Sequence, residues 1–347
     1  MRIKLSLTLP GNLQPFFRRW FNLEPMCLLW HIGFFLLAKG WLLMQRRQFI
    51  RQASCAAGAI ATGVGNAQSL QASSPYRPRF VVASCMYGYE KLPPIVAAVP
   101  KTGAAAIDLW PKVHGDQREQ LDEMGEEAFM QLLAQHHITL GCITQYRLGP
   151  FGLQDEMRLA SRLNCKLIVT GGAGPKNVEG DEQKRAIKAF LRQMQPHLRV
   201  AEELGVQIAI ENHRNNVIDS ADALRWLLEW EQSPALTVAL APAHLPQDSE
   251  WLAKLIREFG PRLAMFYAWQ FGNGFMQPMP REQELLQMPG RGPLDFGPMM
   301  RALREIQFSG WVEVMMHPTP RGVPIMDTTA EVTTEIGRAH RHLLDLL

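Results

Sequence analysis

From residue 79 to the C-terminus, short apolar runs alternate with stretches in which apolar residues recur every three or four positions. Short, fully apolar runs are typical of strands buried on both faces, and the three-to-four spacing is typical of amphipathic helices. The predicted strands lie in FVVASC, AAIDLW, ITLGCIT, KLIVTGG, VQIAIEN, LTVALAP, LAMFYAWQ and WVEVMMHP. The predicted helices are Gln117–Gln135, Leu153–Leu163, Glu182–Leu204, Ala221–Trp230, Trp251–Phe259, Pro298–Ile306 and Thr328–Leu346.

Eight strand–helix units in residues 79–347 predict one α/β domain, a closed (β/α)8 TIM barrel. A doubly wound open sheet is the alternative, but no GxGxxG motif follows the first strand, as a dinucleotide-binding sheet would require. In a barrel, side chains that follow the carboxyl ends of the strands meet around one pocket.

The segment before the barrel resembles a twin-arginine export signal. QRRQFIRQ (residues 45–52) is followed by the small apolar run ASCAAGAIATGVG and by GNAQS, which fits residues 44–67 as a signal cleaved after Ala67 and 68–78 as a linker. The resemblance implies a disordered or cleaved leader, the twin-arginine export machinery as a partner, and a periplasmic protein. The other interpretation is a frayed basic terminus.

A second hydrophobic stretch, residues 26–44, is long enough to suggest a membrane span. His31 and Lys39 interrupt it, and Met44 stands directly before the arginine pair. We therefore expect the chain to start at Met44, with residues 1–43 an over-extended reading frame or a hydrophobic leader, and membrane anchoring as the less favoured alternative.

The charge and the cysteine content of the chain argue against several classes of partner and structural site. The formal net charge is +3, without a dense lysine and arginine stripe, so no nucleic acid is expected. The five cysteines show no CxxC spacing, which argues against a zinc knuckle and a disulfide framework. A homo-oligomer remains open.

Hydrogen-bonding and aromatic side chains gather at the predicted carboxyl ends of the strands, where they suit a polyhydroxylated ligand such as a sugar. The predicted substrate-binding residues are Trp110, His114, Gln145, His213, Tyr267, Trp269, Gln270 and Arg321. The predicted catalytic residues are Glu211, His244 and His317.

The stretches IAIENH, PAHL and PGRGPLDFGPMMRALREIQFSGWVEV resemble the xylose isomerase-like TIM-barrel superfamily, in its sugar phosphate isomerase/epimerase branch, over roughly residues 79–346. The resemblance implies proton transfer next to a sugar carbonyl. It also implies a divalent metal held by Glu, Asp, His and Glu after the fifth to eighth strands.

Those four ligand positions fall on Glu211, Ala241, a residue near Tyr267, and Met315. Only Glu211 is a usual metal ligand, so a conventional Mn²⁺ or Mg²⁺ centre is not expected. A Zn²⁺ ion bound by Glu211 together with His244 or His317 is the alternative.

We assign Glu211 as the base, because partial desolvation at a strand end raises a carboxyl pKa. His244 and His317 would polarise the carbonyl or return the proton. The alternatives are a structural Glu211 paired with Arg214 and a His317 that anchors its loop. The long connection after the seventh strand is either a lid or a surface insertion.

Two functions remain. One is a sugar isomerase or epimerase with a degenerate metal site, and the other is a non-catalytic carbohydrate-binding barrel. An abasic-site nuclease would need a zinc cluster that these residues do not supply.

Overall fold

Eight parallel strands form a closed barrel in the computed structural model, which describes residues 76–347. The predictions for the export signal, the start of the chain and the hydrophobic stretch 26–44 lie outside these residues. The strands are β1 (Arg79–Ala83), β2 (Ala106–Leu109), β3 (Thr139–Thr144), β4 (Leu167–Gly171), β5 (Gln207–Glu211), β6 (Leu236–Leu240), β7 (Leu263–Ala268) and β8 (Trp311–Val314). Each pairs with the next, and β8 pairs with β1. The predicted TIM barrel is confirmed.

The helices of the described residues follow the strands and cover the outside of the barrel. They are α1 (Leu92–Ala98), α2 (Gln117–Met124), α3 (Glu126–Gln135), α4 (Gln154–Arg162), α5 (Gly180–Leu204), α6 (Ala221–Trp230), α7 (Ser249–Phe259), α8 (Arg281–Glu284), α9 (Gly297–Glu305) and α10 (Thr329–Leu344). None of them combines the length and hydropathy needed to cross a bilayer.

The structure corrects the helix predictions in two places. The stretch predicted as one helix, Gln117–Gln135, is divided into α2 and α3 at Gly125, whose φ of 87° is not helical. The helices α1 and α8 were not predicted. α1 has only seven residues and two prolines in its first turn, and α8 has four residues, so neither shows a helical period.

At the amino-terminal end of the barrel, Trp311, the first residue of β8, lines a cavity of about 490 Å³. Its ring packs on Gly141 of β3, where a Cβ atom would lie 3.1 Å from Trp311 Cε2 and 2.9 Å from Ala106 Cβ. The Arg79 guanidinium covers the indole from outside, 3.9 Å from the ring centroid. The pocket described below lies at the opposite, carboxyl end of the barrel.

We predict that Gly141→Ala lowers the free energy of unfolding by about 1–3 kcal/mol, because the added methyl group overpacks the contact with Trp311 and Ala106. The matched control is Gly337→Ala in α10, where the nearest atoms lie 3.5 Å from the added Cβ. Higher helix propensity should make that variant more stable by up to about 1 kcal/mol. Urea unfolding followed by circular dichroism measures both, and equal effects would contradict the assignment of Gly141 to a tight contact.

Candidate active site

A pocket of about 290 Å³ opens at the carboxyl end of the barrel. Its walls come from the segments that follow β2, β3, β4, β5 and β8, as expected where parallel strands end around one mouth. The lining residues are His114, Tyr146, Gly149, Pro150, Thr170, Gly171, Gly172, Glu211, His213, Asn216 and His317.

Glu211 ends β5 and lies at the base of this pocket with 4% of its surface exposed. One carboxylate oxygen, Oε2, accepts a hydrogen bond from the Tyr146 hydroxyl. The guanidinium of Arg214, the pairing partner considered from the sequence, instead lies over the ring of Phe271, 4.7 Å from its centroid. Burial raises the pKa of Glu211, and the Tyr146 hydrogen bond and the nearby His213 partly oppose this rise.

His244 follows β6 in a short turn, and its side chain is completely buried. Neither ring nitrogen has a hydrogen-bond partner among the described residues, and Nε2 lies 3.8 Å from Glu211 Oε1. Burial lowers the pKa of His244 to about 2, so the ring is neutral at physiological pH. His244 is not among the residues that line the pocket, so a catalytic role for it stays a prediction.

Three further imidazoles surround the pocket. The ring centroids of His114 and His317 are 4.7 Å apart, and those of His213 and His244 are 4.1 Å apart. Burial lowers the pKa of His114 to about 4 and holds the pKa of His317 well below its usual range. Both rings are therefore neutral near pH 7, and each can donate one N–H and accept one hydrogen bond.

A buried amide attaches the long connection after β7 to the segment that follows β8. Gln287 is fully buried, and its Oε1 accepts hydrogen bonds from Trp269 Nε1 and from the backbone N–H of His317, both at 3.0 Å. Its Nε2 donates to the carbonyl of His317 at 3.1 Å. One amide thus joins the segments that follow β7 and β8, and the interpretation of the connection as a lid or a surface insertion stays a prediction.

Several predicted substrate-binding residues are not among those that line the pocket. Gln145 Nε2 donates to Glu156, Gln270 Nε2 donates to the carbonyl of Met288, and Arg321 donates to the carbonyls of Pro318 and Phe275. Trp110, Tyr267 and Trp269 are at most 2% exposed. Their side chains support the walls, and a substrate contact for them stays a prediction.

Sequence reasoning missed part of the lining. Asn216 Nδ2 donates to the carbonyl of Gly172, and a Cβ at Gly171 or Gly172 would lie within 2.9 Å of the Asn216 amide. The GG pair in TGGAGPKN was the available signal, since such pairs mark a close approach. Tyr146 was not among the predicted site residues, because the sequence does not show that its hydroxyl reaches Glu211.

The donors at this mouth do not fit the metal centre that the resemblance implies. Ala241 has no donor atom in its side chain, and Met315 Sδ lies 4.0 Å from Cys85 Sγ in a buried contact. No group of three His, Cys, Asp or Glu residues within the described part of the chain is arranged to hold a metal ion. Glu211 and His244 supply two donors, fewer than the three protein ligands of a typical catalytic zinc site.

Comparison with known proteins agrees with the fold. A family described as xylose isomerase-like TIM barrel matches residues 96–336. None of the curated proteins matches the chain.

Solved structures share the architecture at low identity. D-allulose 3-epimerase from Methylomonas sp. has a TM-score of 0.59 and 13% identity, covering 79% of this chain and 98% of that one. The IOLI protein with a bound zinc atom has a TM-score of 0.60 and 17% identity, covering 77% and 97%. A D-tagatose 3-epimerase-like protein has a TM-score of 0.57 and 14% identity, covering 77% and 98%. At these levels of sequence identity, the structural similarity shows a shared fold and does not show a shared activity.

We predict that Gln287→Leu lowers the free energy of unfolding by about 2–4 kcal/mol, because it leaves the Trp269 N–H and both backbone groups of His317 unpaired in a buried place. The control is Gln283→Leu, an exposed position four residues away in the same segment. Thermal unfolding compares the two variants. Equal losses of stability in the two variants would show that the hydrogen bonds of the Gln287 side chain do not stabilise this connection.

Proposed function

The chain belongs to the xylose isomerase-like TIM-barrel family, and we propose that it is a sugar isomerase or epimerase that moves a proton on the carbon beside a carbonyl. The observation that carries the proposal is Glu211. It is a buried carboxyl at the base of an open pocket, with a raised pKa, a single hydroxyl donor and neutral imidazoles around it. Structural neighbours described as sugar epimerases support the same class of reaction.

In this proposal the carboxylate of Glu211 removes the proton from the carbon next to the carbonyl. The electron pair of the C–H bond moves into an enediolate, whose oxygen needs hydrogen-bond donors because it gains negative charge. The neutral rings of His114 and His317 line the pocket and can each supply an N–H. Return of the proton by Glu211 to the neighbouring carbon gives an isomer. An epimer requires a second group to donate a proton to the opposite face of the same carbon, the role that we predict for His244 or His317.

The same pocket supports a second function, that of a carbohydrate-binding barrel without catalysis. The absent ligand set favours it, because three of the four expected metal positions hold Ala241, Tyr267 and Met315. A protein that only binds carbohydrate needs the pocket groups that form hydrogen bonds with sugar hydroxyls. It does not need Glu211 to act as a base.

We predict that wild-type protein incorporates solvent deuterium from D₂O into a ketose such as D-allulose or D-fructose, measured by NMR. Glu211→Gln should slow the exchange by at least about 100-fold, because the amide cannot act as the base. Glu282→Gln, an exposed position on α8, is the control and should exchange like the wild type. If no ketose exchanges while saturation-transfer NMR shows binding, the protein is a binder.

The pH dependence of the deuterium exchange rate is a separate prediction. Because the pKa of Glu211 lies above its ordinary value of 4.5, the exchange rate should rise through a midpoint above pH 4.5 as the carboxylate forms. The Tyr146 hydroxyl stabilises that carboxylate, so Tyr146→Phe should move the midpoint to higher pH. The rate measured across pH 4 to about 9 checks both expectations, and a downward shift would contradict the assigned base.

A further inference from the structure

The cavity of about 490 Å³ at the amino-terminal end of the barrel is larger than the pocket at the carboxyl end and shares no lining residue with it. Its walls come from the first residues of β1, β3, β4, β5, β7 and β8 and from the segments before β4, β7 and β8. The interior of a TIM barrel is normally filled by bulky branched side chains. Here Gly141, Ala264 and Gly310 are among the lining residues, and their small size leaves room for a small molecule.

The charged side chains of this cavity are both cations. Arg79 and Lys166 line it, and no Asp or Glu is among its lining residues. Neither cation forms an ion pair with a carboxylate within residues 76–347. A concave surface with charges of one sign raises the local concentration of ions of the opposite sign. The charge of the cavity therefore favours an anionic ligand.

Arg79 is held in a position from which it can bind an anion. Its guanidinium lies over the Trp311 ring, 3.9 Å from the centroid, and its Nη1 donates to the carbonyl of Ser309 at 2.9 Å. A guanidinium has five N–H groups in a planar fork that fits the oxygens of a carboxylate or a phosphate. Nε and Nη2 of Arg79 have no acceptor among the described residues, so their N–H groups are available to a ligand.

Lys166 contributes the second cation, from the start of β4. Its backbone carbonyl accepts a hydrogen bond from the Gln207 N–H at 2.8 Å, which fixes the two residues side by side. The Gln207 Nε2 donates to the carbonyl of Pro234 at 3.2 Å, which leaves its Oε1 without a donor in the part of the chain that the structure describes. Thr139 and Asn164 add further uncharged polar groups to the lining. Such groups beside cations suit an anion that also carries hydroxyls.

Solvation alone does not account for this arrangement. Exposed lysines and arginines are common on protein surfaces, where water satisfies their charge. These two instead share a cavity whose volume lies within the range of roughly 300–1,000 Å³ that is typical of small-molecule sites. The cavity exceeds what one phosphate or carboxylate group occupies, so its ligand has more atoms than the anionic group.

We propose that the amino-terminal cavity is a second ligand site, which binds a small hydroxylated molecule with a phosphate or carboxylate group. The anionic group lies between Arg79 and Lys166, and the hydroxyls bond with Gln207 and Thr139. Phosphates and carboxylates present similar oxygen acceptors to a guanidinium, so the experiment below distinguishes them. The proposal does not depend on the proposed reaction, which takes place at the other end of the barrel.

Isothermal titration calorimetry of the full chain with glucose 6-phosphate, gluconate and inorganic phosphate tests the proposal. One or both of the hydroxylated anions should bind one to one and more tightly than inorganic phosphate. Arg79→Gln and Lys166→Gln should each weaken that binding by at least about tenfold, because each removes a charged hydrogen-bond donor. Arg192→Gln removes the same charge from an exposed position on α5 outside the cavity and should bind like the wild type.

The outcomes of the titrations separate the alternatives. Tighter binding of glucose 6-phosphate assigns a phosphate ligand, and tighter binding of gluconate assigns a carboxylate ligand. If neither binds, or if Arg79→Gln and Lys166→Gln protein with a native circular dichroism spectrum binds like the wild type, the proposal is wrong. Equally tight binding of inorganic phosphate would overturn the hydroxylated ligand, because a bare ion would then suffice. Excess D-fructose should not compete, since the two cavities share no lining residue, and competition would place the anion in the other pocket.

Discussion

The barrel mouth depends on one constraint, a carboxyl group that is buried at the end of β5 without a cation beside it. A guanidinium or ammonium group next to Glu211 would lower its pKa strongly and leave a weak base, but the Arg214 side chain lies over Phe271 and the rings of His244 and His317 are neutral. The nearby His213 lowers the pKa of Glu211 only against the larger effect of burial. Tyr146 supplies one hydrogen bond, enough to hold the carboxylate in place while burial keeps it basic. Burial keeps the rings of His244 and His317 neutral. Because they carry no positive charge, they leave Glu211 basic enough for the proposed reaction.

Rigid packing maintains this arrangement from two sides. Near the amino-terminal end of the barrel, Trp311 packs on Gly141 at a distance that leaves no room for a Cβ atom, which fixes β8 against β3. The Gln287 amide fastens the backbone of His317 and the indole of Trp269, and the Trp269 ring in turn packs on the edge of His244. The positions of two imidazoles in the site thus depend on one buried amide, which illustrates how supporting groups set the geometry of a site.

The sequence predicted the barrel because buried parallel strands have an apolar signature, and it brought Glu211, His213 and His317 to one mouth because strand ends converge. It did not predict which strand-end side chains face the pocket. Gln145 and Gln270 look like ligand-binding amides in sequence, yet both are bonded to protein groups, since orientation depends on partners far along the chain. The break at Gly125 was missed because a single glycine is tolerated inside a helical pattern.

Three of the four metal-ligand positions that the resemblance implies hold other residues, so in the proposed reaction the charge must be compensated by hydrogen bonds. A metal ion polarises a carbonyl strongly whatever the orientation of nearby hydroxyls, whereas neutral donors act only when their geometry is right. The gap of 3.8 Å between Glu211 Oε1 and His244 Nε2 is relevant here. It is too long for a direct hydrogen bond, and one oxygen atom about 2.8 Å from each would bridge it. A sugar hydroxyl at that point would donate to one of the two and hold the neighbouring carbon above Glu211. Both groups are buried and His244 does not line the open pocket, so burial disfavours a charged group in this gap. Under the proposed function, a neutral sugar hydroxyl is therefore the ligand atom that suits it.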